Sequence, residues 1–407
     1  MAAAAGIPVP NDRIREHAER LAAGPVARGD LALAFGESRA TAVDVHVEGR
    51  NFYPPLLEDI ASAESSIHIN QFGFRPGVVG EAFADALTAK AADGVRVRLV
   101  VDRNGTDPEG GSRALYERLT AAGIEVCVVR ATKVRSAVGP LGGAGATRWN
   151  LAGLGHIDHR KFVVVDGRVG WVGGAGIEDH FQDGRFHDLF VRLAGPVAAQ
   201  LQLVFLASFR WLGGSVPEGE LERLFPPLEA GSIPAVVLHN APGRYRPITD
   251  AIRQLLTSAT ETLDVVNPYV TDRGMIRRIE QAARRGVQVR LFVPADANNW
   301  ACAAAQRFHH KTLLDAGVRI LEYPAMLHAK AFVRDGEEVL AGTCNLEAWS
   351  LKRFFEIDVR VRSDAVATQV EERFATPAEA VSGHGRAVDG RKARAKSAFF
   401  AAISPFL

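Results

Sequence analysis

A long internal repeat restricts the fold of this chain more than any other feature. The stretch GHIDHRKFVVVDGRVGWVGGAGI, from Gly155, and the stretch MLHAKAFVRDGEEVLAGTCN, Met326 to Asn345, place His159, Lys161 and Asp166 at the same mutual spacing as His328, Lys330 and Asp335. A small-residue step follows in both, Gly173-Gly174 in the first and Gly342-Thr343 in the second. Upstream, IHINQFGF, EAFADALTAKAADGVRVRLVVD and LYERLTAAGIEVCVV precede the first motif, as LDVVNPYV, MIRRIEQAARRGVQVRLFVP and HKTLLDAGVRILEY precede the second. Self-similarity over this length marks a duplicated domain.

Each half reads strand, helix, strand, helix, strand and then the His-Lys strand, an alternation that predicts α/β layers. A chain of 407 residues has room for two such domains. The reading is an N-terminal helical extension over 1–39, a first repeat over 40–212, a Pro/Gly/Glu-rich linker with one short helix over 213–234, a second repeat over 235–374 and a tail over 375–407. Two similar halves pack about a pseudo-twofold axis as two subunits of a homodimer do. That symmetry brings the two His-Lys faces to one interface. Because both half-sites lie in one chain, a monomer is expected.

Composition excludes several classes. Forty-eight Lys and Arg against 47 Asp and Glu leave a formal charge of +1, which gives no sign of a surface coated for nucleic acid and carries little weight either way. Three scattered cysteines, Cys127, Cys302 and Cys344, fit a reducing compartment rather than a disulfide or zinc framework. The start, MAAAAGIPVPNDRIREHAERLA, lacks the basic and apolar regions of a signal peptide. The most apolar stretch, GPVAAQLQLVFLASFRWL, is broken by Gln200, Gln202 and Arg210 and reads as a core helix. A cytoplasmic protein, peripheral on the inner face of the cell membrane, is the expected location.

Residues two apart on a strand share a face, so His328 and Lys330 project together and so do His159 and Lys161. Taken alone, either pair also fits a surface strand with incidental charges. Two facing copies fit phosphoryl chemistry: one imidazole attacks phosphorus and forms a phosphohistidine, and the other protonates the leaving alcohol and then deprotonates the acceptor. The lysines, with an Asn or Ser/Thr nearby, neutralise the non-bridging oxygens. No metal and no cofactor are required.

The pattern His-x-Lys-x4-Asp followed by Gly-Gly/Ser/Thr-x-Asn, present twice, resembles the phospholipase D superfamily, and within it the bacterial cardiolipin synthases. The likeness runs through ADGVRVRLVVD, HRKFVVVDGRVGWVGG, FHDLFVRLAGPVAAQLQLVFLASFRW, VVNPYV, LLDAGVRILEY, LHAKAFVRDGEEVLAGTCNL and the final SPFL. It implies two tandem α/β/α sandwich repeats with the active site at their interface. It also implies that His159 is the nucleophile and His328 the general acid, that Lys161 and Lys330 bind phosphate, and that Asn345 contacts phosphate. Thr343, Gly174 and Asp188 are placed at the substrate, and Glu356 orients a catalytic histidine. Asp166 and Asp335, members of the same motif, read as turn and strand-end supports. The implied partners are a phospholipid and an anionic membrane surface, with nucleic acid not expected.

The chain departs from the pattern at Gly176, where the first motif has Asn, and at Phe354, where Asn is frequent. Counting from the histidines puts the first-half match of Glu356 at His187, beside Asp188. The N-terminal membrane-spanning helices of many bacterial cardiolipin synthases have no counterpart in these residues.

Other candidates carry less. His309-His310-Lys311 has helical spacing, which separates residues two apart. The pair in HIDH, His156 and His159, lacks further metal ligands of suitable spacing. GPLGGAGATRW, Gly139 to Trp149, lacks the ending of a phosphate loop and reads as a loop entering the site. Lys133, Arg135 and Arg148 around it either meet a lipid phosphate or are solvated charges. Four functions follow in order: a phosphatidyltransferase making cardiolipin or a relative from phosphatidylglycerol, a hydrolytic phospholipase D, a nuclease of the same superfamily, and a catalytically dead binding module. The tail offers two readings: Arg391, Lys392, Arg394 and Lys396 with Phe399, Ile403 and Phe406 bind an anionic membrane, or the phenylalanines dock on the second repeat.

Overall fold

A computed structural model describes residues 6–130, 133–135, 147–149, 157–243 and 245–404, the side chains of 133–135 and 147–149 excepted. Two nine-stranded sheets dominate it, and seven strands follow the same order in each. In the first sheet the order is Ala42–Val47, Leu189–Ala194, Val169–Gly173, Lys161–Val165, Ser66–Gln71, Arg96–Asp102 and Glu125–Val129. In the second it is Ile233–Asn240, Glu356–Arg362, Glu338–Gly342, Ala331–Arg334, Thr262–Val266, Gln288–Pro294 and Arg319–Tyr323. The strands joined by helices run parallel, and the His-Lys hairpins run antiparallel to them.

Alternation along the strands sets the layers. Phe162 and Val164 face one core while Val163 and Val165 face another. The first repeat's outer core packs Phe52, Leu56, Phe83 and Leu87 from helices Gly49–Ala61 and Val78–Ala92 against its sheet. In the second repeat, Ile248, Ile252, Met275 and Ile279 from Pro247–Ser258 and Arg273–Arg284 do the same. Between the sheets lies a shared core in which Val43, Val45 and Val191 of one meet Val237, Val359 and Val361 of the other. This is the tandem α/β architecture expected, with the interface as its centre.

The helix Val197–Trp211 is buried along nearly its whole length in that shared core. Both glutamines are buried and hydrogen-bonded rather than solvated, although Gln202 Oε1 has no partner among the described residues. Gln200 accepts from Val237 N at 2.8 Å and donates to Gly36 O, and Gln202 bonds His68 Nδ1 at 2.7 Å. Among the described residues, no helix is long and apolar enough to cross a membrane.

Several segments lie where pattern alone does not put them. Ser38–Ala40, at the junction of the expected N-terminal extension and first repeat, pairs with residues 233–235 at the edge of the second sheet. Gly383–His384, within the expected tail, pairs with Leu321 and Glu322 at its other edge. Thr147–Trp149, expected as loop, forms a short strand beside Lys133–Arg135. The side chains of Lys133, Arg135 and Arg148, most of the 139–149 stretch, His156 and Phe406 lie outside the described residues.

Candidate active site

Both His-Lys segments emerge at the ends of their hairpin strands, where Lys161 pairs with Gln71 and Ala331 with Val266. The turns at the far ends are built by Asp166-Gly167 and Asp335-Gly336, all with left-handed φ of 52°, 63°, 52° and 65°. Each turn is closed by a backbone bond of 3.0 Å, Arg168 N to Val165 O and Glu337 N to Arg334 O, and a turn of this kind needs positive φ at both central positions, which Asp-Gly tolerates well. The aspartates do more than turn the chain. Asp166 accepts from the amides of Glu64, Ser65 and Ser66 at 2.7–2.8 Å, and Asp335 from those of Thr260, Glu261 and Thr262 at 2.8–3.1 Å. Burial opposes ionisation at both, yet these donors hold both carboxyls below the usual range. A hairpin length separates them from the histidines, and their carboxylates are taken up by these amides.

The two histidines are held by the opposite repeat. His159 N donates to Phe355 O at 2.9 Å, and His328 N donates to His187 O at 2.8 Å. The carboxylates follow the same crossing. His159 Nδ1 lies 3.0 Å from both oxygens of Glu356, and His328 Nδ1 lies 2.7 Å from Asp188 Oδ2. A carboxylate on Nδ1 fixes the proton there and leaves the lone pair on Nε2, which at His328 lies 3.1 Å from Lys330 Nζ. Burial, then the charges of Lys161 and Lys330, hold both imidazoles well below the usual histidine range, so they stand neutral.

Asp188, not His187, is thus the counterpart of Glu356. Gly173 pairs with Phe190 while Gly342 pairs with Asp358, so the first half carries one more residue before the carboxylate than the second. Counting from the histidines therefore misses by one position. Asp188, expected at the substrate, bonds His328 Nδ1 through Oδ2, and its Oδ1 accepts from Leu189 N at 2.8 Å. His187 contacts Glu48 at 3.3 Å and stacks on Tyr323, facing away from His328.

Local side chains match the two carboxylates in size. Thr343, also expected at the substrate, spends its hydroxyl behind Glu356: Oγ1 donates to Oε2 at 2.5 Å and accepts from Ile357 N at 2.9 Å. Ser350 Oγ donates to the other oxygen and accepts from Asn345 N at 2.8 Å. On the first-half side the shorter Asp188 lies directly against Gly174, where a Cβ would fall 2.5 Å from Oδ1. Gly174 therefore leaves room for that carboxylate.

The lysines complete a buried charge cluster. Lys161 Nζ donates to His159 O at 2.7 Å and lies 4.9 Å from the Phe72 ring centroid, while Lys330 Nζ sits about the His328 ring at 3.0 and 3.1 Å. Burial lowers Lys161 to about 8 and Lys330 to about 7, with the carboxylates opposing the fall. Burial likewise raises Glu356 to about 7 and Asp188 to about 6, with the lysines opposing the rise. Such a site holds cations where an anion of a phosphodiester would sit. Asn345 is buried, and its carboxamide oxygen has no partner among the described residues.

The first half differs where it lacks the motif Asn. A Cβ at Gly176 would lie 2.5 Å from Glu178 Oε2 and 3.0 Å from Gly73 O. The Glu178 carboxylate, 3.3 Å from Arg75 Nε, fills the space an Asn side chain would need. Other site residues carry no signal strong enough to single them out. Asp158 pairs with Arg160 through contacts of 2.8 and 2.6 Å, and Asp102 accepts from Asp158 N at 2.9 Å, which pins the backbone leading into His159. The Asp-x-Arg of HIDHR is the only hint. His309 stands at the N-cap of the helix His310–Asp315 and Lys311 on that helix bonds Asp315, so that His-x-Lys does not join the site.

Comparison with known proteins places the chain. A family model described as cardiolipin synthase, PLD-like domain, matches residues 56–205 and 252–377. A cardiolipin synthase of Geobacillus kaustophilus is 30% identical over 358 residues, covering 84% of this chain and 68% of that protein. Cardiolipin synthase A of Pseudomonas putida is 28% identical over 349 residues, covering 83% of this chain and 68% of its own. The crystal structure of phosphatidylserine synthase from Haemophilus influenzae superposes with a TM-score of 0.68 over 97% of this chain and 100% of that one. At 11% identity that likeness is one of fold.

Proposed function

We propose that this chain, which belongs to the cardiolipin synthase family with a PLD-like domain, transfers phosphatidyl groups between phospholipids through a phosphohistidine on His159. The observation that carries the reading is the crossed pair of dyads, His159 with Glu356 and His328 with Asp188, beside two buried lysines. In the first step His159 Nε2 attacks the phosphorus of phosphatidylglycerol and the phosphorus–oxygen bond to the head-group glycerol breaks. The negative charge of the bound phosphodiester lets the otherwise neutral His328 take up a proton on Nε2, and in this step it gives that proton to the departing alkoxide. In the second step His328 takes the proton from a hydroxyl of a second phosphatidylglycerol, whose oxygen attacks phosphorus and releases His159. Cardiolipin and glycerol are the products. Lys161, Lys330 and Asn345 hold the non-bridging oxygens, and Glu356 and Asp188 keep each imidazole in one tautomer.

Mass spectrometry after incubation with phosphatidylglycerol vesicles tests this. Cardiolipin and free glycerol in equal amounts, absent with His159→Ala, are expected. Phosphatidic acid as the sole lipid product would make water the acceptor and overturn transfer in favour of hydrolysis.

A further inference from the structure

The C-terminal helix Arg391–Ile403 resolves the two readings of the tail into one arrangement. One stripe of it docks: Ser397 and Ala401 are buried, the Phe400 ring stands 4.8 Å from Trp300, and Arg273 donates to Ala401 O at 3.2 Å. The opposite stripe, Lys392, Lys396, Phe399 and Ile403, follows the i, i+4, i+7, i+11 spacing of a single helix face. Lys392, Lys396 and Phe399 on it are exposed, Phe399 at 59%. Trp300, which opens the neighbouring helix Trp300–Phe308, is 61% exposed, and Lys396 Nζ lies 5.1 Å from its ring centroid.

Charge and position favour one occupant. Arg391, Lys392, Arg394 and Lys396 are all exposed, and the helix from Arg391 to Ile403 contains no carboxylate. Exposed aromatics between unopposed cations match the interface of an anionic bilayer, where the rings enter the head-group level and the ammonium groups meet phosphate. The helix also stands at the active-site end of the second sheet. It docks on the turn at 271–273, and the amides of Thr271 and Asp272 both donate at 2.9 Å to the carbonyl of Leu346, next to Asn345. The helix Trp300–Phe308 follows the strand Gln288–Pro294 at that same end, and its Gln306 accepts from Val270 N at 2.8 Å.

We propose that Trp300, Phe399 and the basic stripe of the C-terminal helix form the surface by which the protein sits on an anionic phospholipid bilayer, with the active site turned toward the lipid. The proposal rests on the reading of a bilayer phospholipid as substrate, and its test separates the two. The full-length protein is sedimented with vesicles of phosphatidylcholine alone and of phosphatidylcholine with phosphatidylglycerol. Each basic residue at such a surface is worth about a fivefold change in partitioning, so Lys392→Ala/Lys396→Ala is expected to weaken binding to the anionic vesicles about 25-fold. Trp300→Ser/Phe399→Ser is expected to weaken it about tenfold or more. Lys392 and Lys396 are exposed, so the melting temperature of the first variant should hold. The second also loses ring contacts to Phe400, so its sedimentation is read well below its own melting temperature.

Turnover of a short-chain phosphatidylglycerol below its micellar concentration should be the same in wild type and both variants. Wild type that fails to sediment with anionic vesicles, or variants that sediment as wild type does, would overturn the surface while leaving the chemistry standing. Loss of turnover of the soluble substrate by wild type would instead reject the function and not the surface.

Discussion

Replacing Glu356 with Gln isolates the step on which the site depends. The carboxylate takes three donors: His159 Nδ1 at 3.0 Å, Thr343 Oγ1 at 2.5 Å and Ser350 Oγ. A carboxamide has one oxygen to offer and two N–H groups, so at least one donor is orphaned. If the amide N–H faces His159, the imidazole proton is driven to Nε2 and the attacking lone pair is lost. A charge-assisted hydrogen bond contributes about 1.5–3 kcal/mol. Spent on orienting the nucleophile, that is about a 10- to 150-fold fall in kcat, and more where the tautomer reverses.

Stability should move the other way. Burial raises Glu356 to about 7, so the folded protein prefers it protonated, and the stability it contributes is full below the ordinary carboxylate range and lost as pH rises through about 7. Gln carries no such charge, so at alkaline pH the variant should melt at or above the wild-type temperature. Rapid-quench measurement of alcohol release, with a melt on the same preparation, checks both. In wild type the activity should fall as acid protonates Asp188 and Glu356, near 6 and 7, and fall again as base neutralises Lys330 and Lys161, near 7 and 8. A Glu356→Gln enzyme within about threefold of wild-type kcat, with its acid limb unmoved, would refute the orienting role.

Peptide mapping of the trapped phosphoenzyme should find label on His159, and label on His328 would reverse the two roles. Asp335→Asn should cost about 1–2 kcal/mol of stability, as loss of a helix-cap-like acceptor does, with kcat per folded molecule unchanged. Because its carboxyl is held below the usual range, that stability is present at neutral pH and fades as pH falls through its folded value, so the melting difference from wild type should close in acid. Gly176→Asn, which restores the motif residue, should destabilise the protein by about 1–3 kcal/mol through overpacking against Glu178. Glu178→Ala in the same chain should relieve it, and additive effects in that double-mutant cycle would show that the two sites do not meet.

The repeat makes the seven-strand order of both sheets legible, because strands, helices and motifs recur in register across the halves. It makes both His-Lys pairs legible for the same reason. The role of Asp188 escapes because one residue separates the two halves between Gly173 and the carboxylate, and counting has no way to see a loop lengthen. Thr343 reads as a substrate contact because hydroxyls beside a phosphate site are common, whereas its neighbours Glu356 and Ile357 take both of its bonds. The crossing itself leaves no mark in a one-dimensional pattern. Nothing in the residues around His159 says that its carboxylate lies 197 positions away while that of His328 lies 140 positions away, each in the other repeat. Ser38–Ala40 is too short to show a period, so its place in the second sheet is invisible too.

The crossed dyads make the duplication a requirement of the chemistry. A single repeat would hold a histidine with no carboxylate on Nδ1 and no backbone acceptor for its amide, since both come from the opposite half. The halves have then diverged along the lines their proposed tasks demand. His159, which bears the phosphoryl group between two steps, is backed by the better-supported carboxylate, Glu356, fixed by Thr343 and Ser350 and through Ser350 to Asn345. His328 must accept and release a proton in alternate steps, and it has the shorter, less supported Asp188 on one side and the Lys330 ammonium about its ring on the other. A cation at that distance disfavours the imidazolium and so drives its proton onto a leaving alkoxide. Exchanging the two carboxylates, as Asp188→Glu with Glu356→Asp, would therefore disturb both steps even though the charge of the site is unchanged.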